Sequence, residues 1–482
     1  MMDIVAVNWT AVSPVLPELL LVGIAVLVVG IDLYLPRQRV LMPWLTVLGC
    51  ITVMAMVLGS RPTVALGGMF LIDGYAMVFK TICLGAVIIT ALMSEHFCRI
   101  IGLRQGEYYS LLLLSTVGML IMASAGDLIV LYLGLELMAL PVYCLVGLYK
   151  RSPVTSEASV KYFLMGGFSS ALLLFGVSLL YGLTGTTDLN QVAGMIASGQ
   201  LLHNPAMLAA LGLMLAGLSF KVAAVPFHMW TPDVYHGAPT ILTAFMSVGP
   251  KAAGFAIFGR VVYLALPLMQ ENWGPILAIL AFLTMGLGNI TALCQTSLKR
   301  MLSYSSIAHA GYALLGLLAG TAEGMAATMS YMVIYLFMNM GAFGILMLMM
   351  KTASGEPCDD LSDCKGLAAR NPAAAGLMLV FFFSLTGIPP TGGFVGKFYL
   401  FKSAMVAGYT PLVVCAVLFS AMSAFFYLRI IRYMYMDEPE TQIAAPFSPA
   451  MATALVFCLI GVLGTGLFPG GLLSWTFAAL TP

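Results

Sequence analysis

Long apolar stretches alternate with short polar connections along this chain, and the apolar stretches share one length. A helix needs about 20 apolar residues to cross the hydrocarbon core of a bilayer. Such runs fall near 15–35, 40–59, 71–94, 108–125, 127–149, 158–183 and 206–229. Seven more fall near 239–266, 273–295, 301–320, 325–350, 373–402, 410–435 and 449–470. They predict about fourteen transmembrane helices, numbered here as spans 1 to 14. A membrane β-barrel would read instead as shorter segments of alternating polarity. The pattern therefore specifies an all-α polytopic membrane protein.

The polar connections differ in charge. Arg37, Arg39, Arg99, Arg104, Lys150, Arg151, Lys299, Arg300, Lys351, Lys365, Arg370, Arg429 and Arg432 all follow odd-numbered spans. The other connections are nearly bare of base, with Arg61 the main exception. Basic connections stay on the cytoplasmic side. Both termini are then expected on the opposite, periplasmic side of a bacterial inner membrane. The first run has no basic segment before it and no small-residue cleavage site after it, so it reads as a retained helix.

Two spans break the helical pattern. Span 7 contains FKVAAVPFHMWTPDVYHGAPT and span 12 contains SLTGIPPTGGFVGKFYLF. Proline removes a backbone donor and clashes with the preceding turn, and paired glycines loosen the chain further. Pro226 in span 7, and Pro389 with Pro390 in span 12, each predict two half-helices. Pro226 and Pro389 hold matching places in two five-span units. An odd number of spans per unit inverts the second relative to the first. Interrupted helices at matching places mark the transport site of inverted-repeat transporters. The expected organisation is an N-terminal three-helix segment (1–107), a first repeat (108–266), an inverted second repeat (273–435) and a C-terminal helix (436–482).

Only 9% of the residues are charged, so a charge inside a span stands out. Lys161, Lys221, Lys251 and Lys397 lie in apolar segments, and Glu136 is the acid placed in the middle of one. A lysine at the bilayer centre costs about 3 kcal/mol on insertion scales, so these side chains must face protein or water. Burial disfavours the charged form of lysine and a nearby carboxylate restores it. A Glu136–Lys221 pair that opens and closes would be a proton switch, with Lys251 and Lys397 as further stations. Ser305, His309 and Tyr312 share one face of span 10, which makes His309 a candidate bridge. Plainer readings stand beside these. Lys161 follows Glu157 by one helical turn and they could form only a local pair. His309 could be a satisfied core histidine, and His228 could bond carbonyls freed at the Pro226 break. Lys80 and Lys402 could extend to an interface.

Other chemistries find no support in the residues. The nine cysteines are scattered without metal-ligand spacing, and no dinucleotide or phosphate loop is present in the sequence. A net charge of +1 without a basic cluster offers nothing for nucleic acid.

The stretches FKVAAVPFHMWTPDVYHGAPT, LKRMLSYSSIAHAGY and LTGIPPTGGFVGKFY together resemble the antiporter-like membrane subunits of respiratory complex I, relatives of the Mrp-type cation/proton antiporters. The resemblance covers nearly the whole chain and is densest from about 108 to 435. It implies Glu136 and Lys221 as a coupled pair, Lys251 as the central lysine and Lys397 as the terminal one. Lys161 and His309 also match family positions. Lysine at 397, where some members carry glutamate, and the short stretch after span 14 narrow the resemblance to one kind of subunit. The resemblance implies no redox cofactor in this chain. FMN and iron–sulfur clusters are expected in partner subunits, which pass electrons from NADH to quinone. Further antiporter-like subunits are the expected neighbours in the membrane arm. A stand-alone Mrp-type antiporter, or the equivalent subunit of a membrane-bound hydrogenase or ferredoxin-linked complex, shares most of these features.

Overall fold

The structure, a computed structural model, describes residues 13–35, 41–101, 105–150, 152–199, 201–351, 358–439, 443–444 and 447–480. Arg37, Arg39, Arg104 and Arg151, which enter the loop-charge pattern, lie outside the described residues. The helices α1 to α6 are Leu16–Tyr34, Leu41–Leu58, Gly74–Ile101, Gln105–Ser124, Leu128–Val146 and Pro153–Thr184. Next come α7 (Leu189–Ala197), α8 (Pro205–Val222), α9 (Trp230–Gly237), α10 (Thr240–Gly259), α11 (Gln270–Leu293), α12 (Leu298–Leu318) and α13 (Ala322–Leu348). The last six are α14 (Leu367–Arg370), α15 (Pro372–Thr386), α16 (Gly392–Val406), α17 (Thr410–Met436), α18 (Pro449–Leu467) and α19 (Pro469–Ala478). A π-turn over Arg260–Ala265 extends α10. Two short antiparallel pairs, β1 (Thr63–Ala65) with β2 (Phe70–Ile72) and β3 (Met350–Lys351) with β4 (Ile443–Ala444), are the named strands among the described residues.

Among the described residues, thirteen helical segments are long and apolar enough to cross a membrane. Span 12 is absent from that count because it is two helices, α15 and α16, of 15 residues each. Span 7 is likewise divided, into α8 and α9. Polar residues at the helix starts explain why the apolar runs begin where they do. Asp127, Ser152, Asp188, Asn204, Ser297, Thr321, Asn371 and Ser448 each accept a hydrogen bond from a backbone amide of the following first turn. Those amides have no partner inside the helix, so a side-chain oxygen stabilises each start by about 1 kcal/mol.

The connections gather into two sets. At one end Phe70 pairs with Ala125 and Asp127 with Asp188, joining the connections after spans 2, 4 and 6. Arg260 joins the same end, with Nη1 and Nη2 donating to Asp73 at 2.6 and 2.7 Å. At the other end Ser297 pairs with Asp360, β3 pairs with β4, and Arg429 donates to the carbonyls of Leu293 and Gln295. These connections follow odd-numbered spans. The described loops thus sort as alternate crossing of the chain requires.

Burial is graded. All twenty residues of α10 are buried, as are nearly all of α12 and α13, whereas α1, α17 and α18 expose apolar side chains. A helix apolar all round belongs in a core. These three central helices carry Lys251 and His309, so the charges lie where lipid is excluded.

Candidate functional site

Both broken spans use the same backbone device. The α8 helix stops at Ala223, whose φ is 61°. The α15 helix stops at Gly387, whose φ is 90°. A proline follows at the same interval in each, Pro226 and Pro390, and the X–Pro bonds Val225–Pro226 and Pro389–Pro390 are both cis. Pro390, not Pro389, is therefore the structural counterpart of Pro226. The freed backbone groups find partners inside the protein. Val225 donates its amide to Thr284 Oγ1 at 2.9 Å, and the indole of Trp230 donates to the Phe220 carbonyl at 3.1 Å. In span 12, Gly393 donates to Ser384 Oγ at 3.1 Å, and a Cβ at Gly393 would stand 1.7 Å from the Ser384 carbonyl oxygen. Only glycine fits there. Irregular backbone at membrane depth persists when protein covers it in this way.

The lysines follow from these breaks. Lys221, Lys251 and Lys397 are 8%, 2% and 4% exposed, so none faces lipid. Lys397 donates to the carbonyls of Leu385 and Thr386 at 3.0 and 2.9 Å and to Ser420 Oγ at 3.0 Å. Those two carbonyls belong to the last turn of α15, where helical partners run out. Its ammonium group also stands 4.8 Å from the ring centre of Tyr312. Lys251 donates to Ser306 twice, to the carbonyl at 2.8 Å and to Oγ at 2.5 Å. Tyr335 donates to the same Ser306 Oγ at 2.8 Å.

His309 lies between these two lysines and feels the charge of both. Its Nδ1 is 2.5 Å from the Tyr331 hydroxyl and its Nε2 is 3.4 Å from the Tyr427 hydroxyl, which contacts Ser305. Its ring centre is 5.4 Å from that of Tyr335 and 5.8 Å from that of Tyr312. Lys251, Ser306, Tyr335, His309, Tyr312 and Lys397 therefore form one row of neighbours. His309 is bound on both ring nitrogens, and every partner is a hydroxyl capable of giving or taking a proton.

The other end of the row is looser. Lys221 makes one long hydrogen bond, 3.4 Å to Ser170 Oγ. Glu136 is the carboxylate that acts electrostatically on it, yet no ion pair joins them among the described residues. Among the described residues, Glu136 Oε1 is buried without a hydrogen-bond partner, as are the hydroxyls of Tyr143, Ser219 and Tyr235 and Nδ1 of His228. The α10 helix comes close to Lys221 at Gly254, where an added Cβ would lie 3.5 Å from the lysine Cβ. Gly254 is one turn beyond Lys251, so both lysines border the same helix.

Other charges fall elsewhere. Lys161 is not in the buried row; it is 42% exposed and pairs with Glu157 at 2.8 Å and Asp233 at 2.9 Å. Lys402 is exposed near Tyr399. Lys80 corrects the interfacial reading, because it is buried and holds Glu18 at 2.6 Å. Its partner lies 62 residues away in sequence, a contact no local pattern displays. Lys299, counted as a loop charge, is also buried. Its ammonium group donates to the carbonyls of His236, at 3.0 Å, and Ala238. Ser306, Tyr335, Tyr427 and Ser420 escaped the sequence reading, since hydroxyls are common inside helices and carry no signal until they meet a lysine.

The chain resembles known membrane proteins over most of its length. Residues 125–423 match the transmembrane family described as NADH:quinone oxidoreductase/Mrp antiporter. The chain is 54% identical to NADH-quinone oxidoreductase subunit N of Desulfovibrio desulfuricans, over 95% of both chains. It is 44% identical to NADH-quinone oxidoreductase subunit N 2 of Rhizobium meliloti, over 96% of both. Among solved structures, a chain of respiratory complex I from Thermus thermophilus with bound aureothin superposes with a TM-score of 0.82 and 35% identity, covering 95% of this chain and 98% of that one. A chain of the Mrp complex from Dietzia shares the fold at a TM-score of 0.81 and 23% identity, covering 96% of this chain and 97% of that one. With its two broken spans and its central row of lysines, the chain belongs to the NADH:quinone oxidoreductase/Mrp antiporter family of membrane proteins.

Proposed function

We propose that this chain is a proton-translocating membrane-arm subunit of a bacterial NADH–quinone oxidoreductase. Partner subunits carry FMN, iron–sulfur clusters and electrons from NADH to quinone, and this subunit moves protons in response. The row of neighbours from Lys251 through Ser306, Tyr335, His309 and Tyr312 to Lys397, joined partly by hydrogen bonds and partly by ring contacts, carries the reading. Protonated lysine has no lone pair for a sodium ion, which favours protons as the cargo over the ions of a sodium/proton antiporter.

The chemistry follows from placement. A proton loaded near Lys221 meets a lysine held by one long bond beside a carboxylate that it does not touch. Closing that gap favours the charged lysine, and opening it favours release. The released proton passes to Lys251 and then along the hydroxyls and imidazole to Lys397 for discharge on the far side. The two five-helix units, 108–266 and 273–435, act as inverted half-channels, each with its own break. The basic connections lie in the cytoplasm and both termini in the periplasm, with the other antiporter-like subunits as neighbours in the membrane. The test is Lys251→Met in the assembled enzyme, with NADH-driven acidification measured in sealed vesicles. Acidification should collapse while the complex remains assembled. Full acidification with methionine at this place would refute the row.

A further inference from the structure

A second cluster of titratable groups lies at the end of the bundle that carries the basic connections. A cavity of about 130 Å³ opens there between the start of α6, the helix α9 and the start of α12. Its charged lining is Glu157 and Lys161 from α6, Asp233 and His236 from α9, and Arg300 from α12. That volume holds more than one water molecule. Most of these charges neutralise one another: Lys161 binds Glu157 and Asp233, and Arg300 approaches Asp233 at 3.5 Å. His236 stands apart from that set. Its Nε2 is 2.9 Å from Asp359 Oδ2 in the loop after α13. Asp359 is itself fixed, accepting from Ser297 Oγ at 2.8 Å and from the Lys299 amide at 3.2 Å. An imidazole accepts and donates protons through its ring nitrogens.

The cluster faces both ways. His236 is 34% exposed on its side chain and meets the cavity. The preceding residue, Tyr235, is fully buried, and its hydroxyl lies close to Ser306 and Tyr335 without completing a hydrogen bond. Ser306 Oγ accepts from both Tyr335 and Lys251. The short helix α9 therefore carries a proton-exchanging group at the surface and, one residue before it, a buried hydroxyl close to the serine that binds the central lysine. Its position is secured by Lys299, whose ammonium group binds the carbonyls of His236 and Ala238, and by Thr243, which donates to the Tyr235 carbonyl at 2.8 Å.

We propose that His236, oriented by Asp359, is a proton-uptake site that feeds Lys251 through Tyr235. This rests on the proton-translocating reading above. The ligand is the proton of bulk water, taken by the imidazole on the side of the basic connections. Six charged groups surround the imidazole: Glu157, Lys161, Asp233, Lys299, Arg300 and Asp359. Asp359 is the one bonded to it.

The test uses the assembled enzyme in inverted vesicles, whose outer face is this end of the bundle. The rate of proton uptake from the medium during NADH oxidation is measured between about pH 6 and pH 8, across which the free proton concentration changes about a hundredfold. His236→Gln should slow uptake several-fold at the alkaline end and match the parent at the acid end. Asp359→Asn should slow uptake in the same pH-dependent way, since the imidazole loses the carboxylate that orients it. Lys251→Met is the reference. If it is deficient while both mouth variants match the parent at every pH, the uptake site is wrong and the row stands. A His236→Gln deficit equal at all pH values would also overturn the site, because a structural fault does not depend on proton supply. Normal pumping by Lys251→Met would remove the underlying reading and this site with it. NADH oxidation with uncoupler reports assembly, and Asp359→Asn decides the question if His236→Gln does not assemble.

Discussion

The two broken spans share a turn and differ in where they put their charges. In span 7 the lysine precedes the turn, on the last helical turn of α8, and holds one long hydrogen bond. In span 12 the lysine follows the turn, on α16, and folds back onto two carbonyls and a serine. In the common register of Ala223 with Gly387, Lys397 occupies the place of Asp233, and Lys221 that of Leu385. One backbone device therefore presents a base before the break in one unit and after it in the other. The lysine of span 12 is held by three hydrogen bonds and that of span 7 by one long one.

Replacing the lysines tests that contrast most severely. Lys397→Met and Lys221→Met should each lower NADH-driven acidification by about a hundredfold, the scale of losing a positioned proton-transfer group. A variant that pumps at the parent rate would show that its break is only a bend. The turns come next. Gly393→Ala forces a methyl against the Ser384 carbonyl and should cost about 2 kcal/mol or more of stability, read as a lower melting temperature in detergent.

The bonds around each lysine should separate the pair further. Ser420→Ala removes one of three partners of Lys397, worth about 1 kcal/mol or about fivefold in pumping rate. Ser170→Ala removes a 3.4 Å contact and should change the rate by less than about twofold. Equal effects would mean that both lysines are held alike.

Near the first break, Asp359 offers a pH test of stability. Burial alone would raise its carboxyl, but hydrogen bonds from His236 and Ser297 with the nearby His236 and Lys299 hold it below the ordinary value. A carboxyl depressed in the fold adds stability above its unfolded pKa and loses it as pH falls through the folded one. Asp359→Asn should therefore destabilise the protein at neutral pH by about 1 kcal/mol, a difference that fades below about pH 4. Thermal melts across that range decide it. The smallest effect is expected at the cap of α8. Ala223→Gly removes a side chain from the left-handed region and should raise stability by about 1 kcal/mol. No gain would mean that the alanine is accommodated without strain.

Much of this was legible in the sequence, for physical reasons. Span length is imposed by the bilayer, and proline with glycine interrupts helices wherever it occurs, so the spans and both breaks could be read directly. Lys221, Lys251 and Lys397 were legible because lipid makes them expensive. What joins them was not. Ser306 and Tyr335 become connectors only because α12 and α13 pack against α10, and that packing comes from tertiary structure. The register of the breaks also escaped the sequence, since Pro389 and Pro390 are neighbours and only the left-handed Gly387 decides between them. Lys161 shows the opposite failure. Its apolar surroundings suggested burial, while its place near the start of α6 lets it reach Glu157 and Asp233 at the surface.

The buried pair of Lys80 and Glu18 bears on how the chain enters the membrane. A charge at the centre of a span costs about 2.5–3.5 kcal/mol in lipid on insertion scales, and these two groups meet inside the protein instead. Glu18 lies on α1 and Lys80 on α3, so the first is synthesised well before its partner. The first helix therefore gains the partner of its buried acid only once α3 has been made. The expected consequence is that α1 takes its final place in the bundle only when α3 brings Lys80 to Glu18.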